Sequence, residues 1–180
     1  MFSPQKTIVS IDLKGMIASG SRAPLNMDNL NGLFSKLMKM KFHALSIVIN
    51  SPGGSPVQSS LISQKIREIS AKKKVKCYCF VEDVAASGGY WLACAADEIY
   101  ADVNSIVGSI GVISGGFGFT DLIKKIGVER RIFTAGENKS FLDPFQKVNK
   151  KDEDKLIKLQ KLIHQNLSLI HISEPTRRRG

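Results

Sequence analysis

Hydrophobic and polar positions alternate with two distinct periods along the chain, and the switches between them mark its elements. Lys6 to Lys14, KTIVSIDLK, sets Ile8, Ser10 and Asp12 against Thr7, Val9, Ile11 and Leu13, the period of two of an opening strand. From Asn26 or Asp28 the period lengthens. Leu30, Leu33, Phe34, Leu37 and Met38 line one face of a helix with a polar cap, and Met38 and Met40 are expected as core filler. Ala44 to Asn50, ALSIVIN, is a short continuous apolar run, which predicts a parallel strand buried on both faces. After the corner Asn50 to Ser55 a second helix is predicted, with Val57, Leu61, Ile62, Ile66 and Ile69 inward. Val75 to Val81 reads as the next strand, broken at Ala85-Ala86-Ser87-Gly88-Gly89 and followed by an apolar helix through Cys94.

The remainder is built from shorter pieces. Asp97 to Ala101 reads as a short strand, and Ser105 to Ile113 is apolar with two glycines. A helix over Thr120 to Ile126 stops at Gly127, a C-cap signal. Arg130 to Thr134 is expected as a strand leading into the loop Ala135 to Lys139, and a polar-capped helix begins near Asp152. Strand, loop and helix recurring in this order predict an α/β fold with a mostly parallel sheet and flanking helices. No internal repeat or linker interrupts it, and 180 residues suit one domain.

Composition changes this picture little. A hydrophobic fraction of 43% with 23% charged residues is that of a globular protein. No apolar run approaches the roughly 18–20 residues of a membrane span, and the N-terminus lacks the plan of a signal peptide. The net charge of +10 is spread over helix faces and ends, such as Lys72-Lys73-Lys74, without the aromatic or glycine-rich pattern of a nucleic-acid binder. It leaves room for peripheral attraction to anionic lipid. Cys77 and Cys79 share one strand face, and Cys94 stands apart. With no metal-ligand spacing, all three are expected as buried free thiols of a reducing compartment.

The chemistry gathers at two glycine corners that each follow a strand, Ser51-Pro52-Gly53-Gly54 and Ser87-Gly88-Gly89. A serine between a strand and a helix start is lifted out of the sheet, and glycines beside it let a substrate backbone approach. Neighbouring parallel strands deliver their C-terminal loops to one edge, so the first corner can place backbone N–H groups beside the Ser87 hydroxyl, the arrangement of an oxyanion hole. A phosphate cradle is disfavoured, because neither GxxxxGK[ST] nor GxGxxG occurs in these loops. A serine also needs a base. His43 precedes a strand, His164 lies on the last helix and His171 in the tail, which leaves a lysine made neutral by burial. That requires a downward shift of about three units, roughly 4 kcal/mol. Lys139, flanked by Phe141, Leu142, Pro144 and Phe145, suits this role, although spacing does not single it out.

Four segments together resemble the signal peptide peptidase A/SohB family of serine peptidases, which use a Ser-Lys dyad on a Clp-protease/crotonase-type fold. They are NSPGG at Asn50 to Gly54, DVAASGGYWLACAADEI at Asp83 to Ile99, SIVGSIGVI at Ser105 to Ile113, and the GxNKxxLDPF-like Gly136 to Phe145. The resemblance spans Lys6 to Asn166. It implies Ser87 as nucleophile, Lys139 as general base and Ser109 as the group orienting the lysine amine. Backbone N–H groups of Gly53 or Gly54, with Gly88, would hold the oxyanion, and neither metal nor cofactor is required. It further implies hydrophobic peptide substrates such as released signal peptides, a groove near Ser87 and Ile110-Gly111-Val112, homo-oligomeric assembly, and a cytoplasmic or peripherally inner-membrane location in a bacterium. A silent scaffold of the same fold, or a crotonase-type acyl-CoA enzyme, is the alternative. Retention of Ser87, Ser109 and Lys139 together speaks against both.

Leu167 to Arg177, LSLIHISEPTR, looks like a translated sequencing adaptor and begins where the family pattern is lost. Residues 1–166 are therefore expected to be a peptidase domain incomplete at its C-terminal end, with 167–180 a non-native tail.

Overall fold

The computed structural model describes residues 6–20, 23–135 and 139–172. It divides into two compact units, Met1–Gly111 with Asn166–Gly180, and Val112–Gln165.

The first unit is an α/β layer around a parallel sheet of β1 (Ile8–Lys14), β2 (Ala44–Ser51), β3 (Lys76–Ala86), β4 (Glu98–Ala101) and β5 (Ile106–Gly108). β1 pairs with β2, β2 with β3, and β3 carries both β4 and β5, every pair parallel. Alternate side chains from β1, β2 and β3 (Ile11, Leu13, Leu45, Ile47, Ile49, Cys77 and Cys79 among them) form one buried cluster. α1 (Met27–Lys39) adds Leu30, Phe34 and Leu37, α2 (Pro56–Lys73) adds Ile62, Ile66 and Ile69, and α3 (Gly88–Ala93) adds Leu92 and Ala93. The opposite face is not closed: Phe80 and Tyr100 stack there at 5.2 Å and remain 44% and 42% exposed. β2 accordingly differs from the expected two-sided burial. Leu45, Ile47 and Ile49 are buried, whereas Ala44, Ser46 and Val48 are only half-buried.

α1 and α2 begin where polar side chains satisfy free N–H groups. Asn26 caps α1, its Oδ1 accepting from the Asn29 amide at 2.8 Å, and Ser55 caps α2 with Pro56 in the first turn. At the other end of α2, the Lys73 ammonium donates to the Met38 and Met40 carbonyls at 2.6 and 2.8 Å, so part of the basic cluster closes α1. Two apolar assignments are corrected. Val57 and Leu61 point outward, 66% and 43% exposed, because the inward stripe of α2 runs through Ser59, Ile62, Ser63, Ile66 and Ile69. Met40 is 44% exposed just past α1, while Met38 packs against the core.

β3 also runs further than its hydrophobic pattern suggested. Tyr78 to Val81 pair with β4, and Val84 to Ala86 then pair with β5, so the strand continues to the residue before Ser87. Register on the β2 side shifts between Ile49↔Val81 and Ser51↔Ala85, a bulge that places three β3 residues opposite Asn50.

In the second unit α4 (Thr120–Lys125) ends as expected. Gly127 takes φ +71° and the Val128 amide donates to the Ile123 carbonyl at 2.8 Å. Arg130 to Thr134 is not a strand: the segment is irregular and mostly exposed, Phe133 at 94%, and no strand among the described residues pairs with it. A short β-prone segment without a partner edge does not hold extended chain. Instead Arg130 lies 5.6 Å over the Phe145 ring and 3.5 Å from the Asp143 carboxylate. α5 (Lys150–Ile172) starts at Asn149, whose side chain accepts from the Asp152 amide, and continues across the boundary expected at residue 166.

Candidate active site

The two glycine corners meet at the C-terminal ends of β2 and β3. Ser87 is the single residue between β3 and α3, half-buried, with φ +52° and ψ −117°. A non-glycine residue there is strained, and the strain is held by its neighbours. Its amide donates to the Gly108 carbonyl at 2.8 Å and its carbonyl accepts from Trp91 at 3.0 Å. Ser109 follows the last paired residue of β5, Gly108, just as Ser87 follows that residue's partner Ala86, and it too has φ +52°. The two serines thus leave adjacent strands side by side, each at a positive φ. Ser109 is exposed.

Close approach explains the glycines. Gly53 has φ +93°, and a Cβ placed on it would lie 2.5 Å from the Ala86 carbonyl, 2.7 Å from the Gly88 nitrogen and 2.9 Å from Ser87 Cβ. The backbone of the first corner therefore rests directly on the serine turn. A Cβ on Gly88 would strike Ser59 Oγ and sit 3.3 Å from the Gly54 nitrogen, which puts the Gly54 amide on the α3 side. Gly89 is pressed against the Ser51 carbonyl.

Ser51 and the loop after β1, which composition did not single out, hold this corner. Ser51 is fully buried. Its hydroxyl donates to the Gly15 carbonyl at 2.7 Å and accepts from the Gly53 amide at 3.2 Å. The Gly15 amide donates to the Asn50 carbonyl, the Ile17 amide to the Gly53 carbonyl, and the Ser55 amide to the Ile17 carbonyl, at 2.8, 2.9 and 2.7 Å. Only the serine inside NSPGG hinted at this in the sequence, because the loop comes from 33 or more residues earlier in the chain.

Lys139 belongs to the second unit, in a turn, and is exposed, so the burial anticipated from its apolar neighbours is not present; Phe141 and Phe145 are 38% and 36% exposed. Gly136, Glu137 and Asn138 lie outside the described residues. Ile110 is half-buried beyond Ser109, and Val112 opens the second unit. Cys77, Cys79 and Cys94 are buried thiols outside any disulfide. Burial pushes the Cys77 thiol up to about 12, with Asp97 adding to it, and raises Cys79 further. An open cavity of about 470 Å³ lined by Arg67, Lys74, Lys76 and Asp97 lies at the start of β3, the far end of the strand from Ser87. Among the described residues no group of acidic, histidine or cysteine side chains could hold a metal ion, and no helix is long and apolar enough to cross a membrane.

The α/β fold thus sets a strained serine at a strand-to-helix turn, faced by a glycine corner on the neighbouring parallel strand, an arrangement that can expose a hydroxyl. Residues 69–168 match the model of peptidase family S49, and the chain belongs to that family. It is 52% identical over 158 residues to a Brucella melitensis protein named Na(+)/H(+) antiporter NhaA, covering 86% of this chain and 22% of that protein. It is 31% identical over 144 residues to the chloroplastic serine protease SPPA of Arabidopsis thaliana, 80% of this chain and 21% of that one. Among solved structures it is similar to a membrane protease specific for a stomatin homolog from Pyrococcus horikoshii. That match has 18% identity and a TM-score of 0.43, over 56% of this chain and 48% of that one. The chain spans about a fifth of the length of these two sequence relatives.

Proposed function

We propose that the protein is a serine endopeptidase in which Ser87 is the nucleophile and Lys139 the general base. The observation that carries this reading is the Ser87 turn itself: a strained serine at the end of β3, with Ser109 abreast of it and the Gly53-Gly54 backbone packed against it. Lys139 takes the Ser87 proton as Oγ attacks the scissile carbonyl, and backbone N–H groups of Gly53 or Gly54, with Gly88, receive the charge that develops on oxygen. The tetrahedral intermediate collapses with the proton passing from Lys139 to the leaving amine, and water hydrolyses the acyl-enzyme through the same base. Ser109 orients the amine. An exposed lysine becomes an effective base when a hydrophobic peptide covers it, since desolvation disfavours the ammonium form.

The same reading assigns hydrophobic peptides as substrates, released signal peptides or membrane-associated segments among them, cleaved by a homo-oligomer that is cytoplasmic or peripherally associated with the inner membrane of a bacterium. It calls for no cofactor. The test is hydrolysis of hydrophobic signal-peptide-like substrates by the protein that carries this chain, beside its Ser87→Ala and Lys139→Ala variants. Loss of at least about 10³-fold in kcat in each is expected. Activity retained in either variant would refute the dyad.

A further inference from the structure

We infer that Ser51 is a positioning residue of this site, one that makes Gly54 rather than Gly53 the oxyanion donor of the first corner. The inference rests on the peptidase reading and narrows it. Gly53 is engaged at both ends: its amide donates to Ser51 Oγ at 3.2 Å, and its carbonyl accepts from the Ile17 amide at 2.9 Å. The Gly53 carbonyl and the Gly54 amide belong to one planar trans peptide, so the two groups point in opposite directions. Fixing the carbonyl toward Ile17 therefore throws the Gly54 N–H to the other side. That side is α3's, where the Gly54 nitrogen comes within 3.3 Å of the position a Cβ on Gly88 would occupy.

Ser51 sets the first of these two anchors. Its hydroxyl proton goes to the Gly15 carbonyl at 2.7 Å, which turns a lone pair toward the Gly53 amide. At full burial no water competes for either bond. Without the hydroxyl, the Gly53 amide loses its acceptor, and Gly53, whose carbonyl shares a peptide with the Gly54 donor, loses one of the two bonds that hold it. Substrate binding along the rest of the peptide does not depend on that orientation. Stabilisation of the tetrahedral oxyanion does, because it demands a donor at hydrogen-bonding distance from where the charge appears.

The experiment compares Ser51→Thr with Ser51→Val. The two replacements share one shape and the same packing strain, and differ in the hydroxyl alone. Hydrolysis of a hydrophobic peptide and binding of a peptide boronic acid, which forms a tetrahedral adduct with a catalytic serine, are measured on both variants, wild type and Ser87→Ala. Trp91 emission reports folding. Ser51→Val is expected to lose about 10²-fold in kcat relative to Ser51→Thr, with KM within about twofold and boronate affinity falling in step with kcat. Equal losses in the two variants, or a loss in Ser51→Val accompanied by exposure of Trp91, would make Ser51 a packing residue only and overturn the inference while leaving the peptidase reading intact. A wild type that neither hydrolyses peptides nor binds the boronate, or a Ser87→Ala variant that keeps its activity, would overturn that reading and this inference with it.

Discussion

Replacing Gly53 by alanine tests whether the two glycine corners are truly in contact. The substitution adds one methyl group and carries two costs. A residue with a Cβ held at φ +93° is strained by about 1–3 kcal/mol. The methyl would also lie 2.5 Å from the Ala86 carbonyl, 2.7 Å from the Gly88 nitrogen and 2.9 Å from Ser87 Cβ. All three belong to backbone or to the first side-chain atom, so no rotamer change can relieve the contact, and overpacking adds roughly 1–3 kcal/mol. Gly20→Ala is the control: φ there is +101°, but nothing lies within 4 Å of the added carbon, so it bears the strain alone. Urea unfolding followed by Trp91, the single tryptophan and 8% exposed on α3, reads the unit that holds both corners. With a slope of about 2 kcal/mol per molar urea, Gly53→Ala should lower the midpoint by about 1–3 M, and Gly20→Ala by about 0.5–1.5 M. A Gly53→Ala midpoint within about 0.5 M of wild type, or no lower than that of the control, would refute the contact.

Other outcomes follow from the same geometry. Asn26→Ala should destabilise by about 2–3 kcal/mol in the same urea assay, because it removes the α1 cap and leaves the Gly20 and Ala23 carbonyls without the Nδ2 donor they receive at 3.0 and 2.9 Å. The Cys77 thiol, raised to about 12 from an ordinary value of 9.0, keeps its proton in the folded chain after the unfolded chain has lost it. Stability is thus undiminished below pH 9 and falls by roughly 1.4 kcal/mol per pH unit as pH rises from 9 toward 12, a decline that Cys77→Ala should lessen in alkaline unfolding curves. Native protein at pH 8 should accordingly react with a thiol-disulfide reagent far more slowly than unfolded protein. Glu68 is held down at about 2 by hydrogen bonds from Lys72 and Lys65. Its contribution is present above pH 4.5 and lost as pH falls toward 2, so the stability difference between wild type and Glu68→Gln should shrink across that interval and vanish at its acid end.

Local pattern was a good guide wherever a neighbour in sequence decides the outcome. The alternation of β1, the capped start of α1 at Asn26, the stop at Gly127 and the strand–turn–helix around Ser87 all depend on residues a few positions apart, and all were legible. The Ser51-Pro52-Gly53-Gly54 and Ser87-Gly88-Gly89 corners were legible as well, and with them the expectation that they share one sheet edge. Pattern failed where a distant partner decides. Arg130 to Thr134 reads like a strand but has no described edge to pair with. β3 outruns its apolar stretch because β5 supplies three further pairs. Val57 and Leu61 looked inward by hydrophobicity, yet the face of α2 that packs is chosen by the small Ser59 and Ser63, which let the helix approach.

The residues proposed to carry the chemistry, a serine before two glycines and a second glycine pair after the preceding strand, were determined by the sequence alone, since their types and order are what the turns require. Tertiary structure alone decided how those turns are held. Register between β3 and β5 sets Ser109 beside Ser87, and the loop after β1 fastens Gly53 through Ser51 and Ile17. The strand register and the Ile17 contact depend on backbone hydrogen bonds between segments more than twenty residues apart, whose donors and acceptors are the same in every residue and leave no mark in the order of side chains.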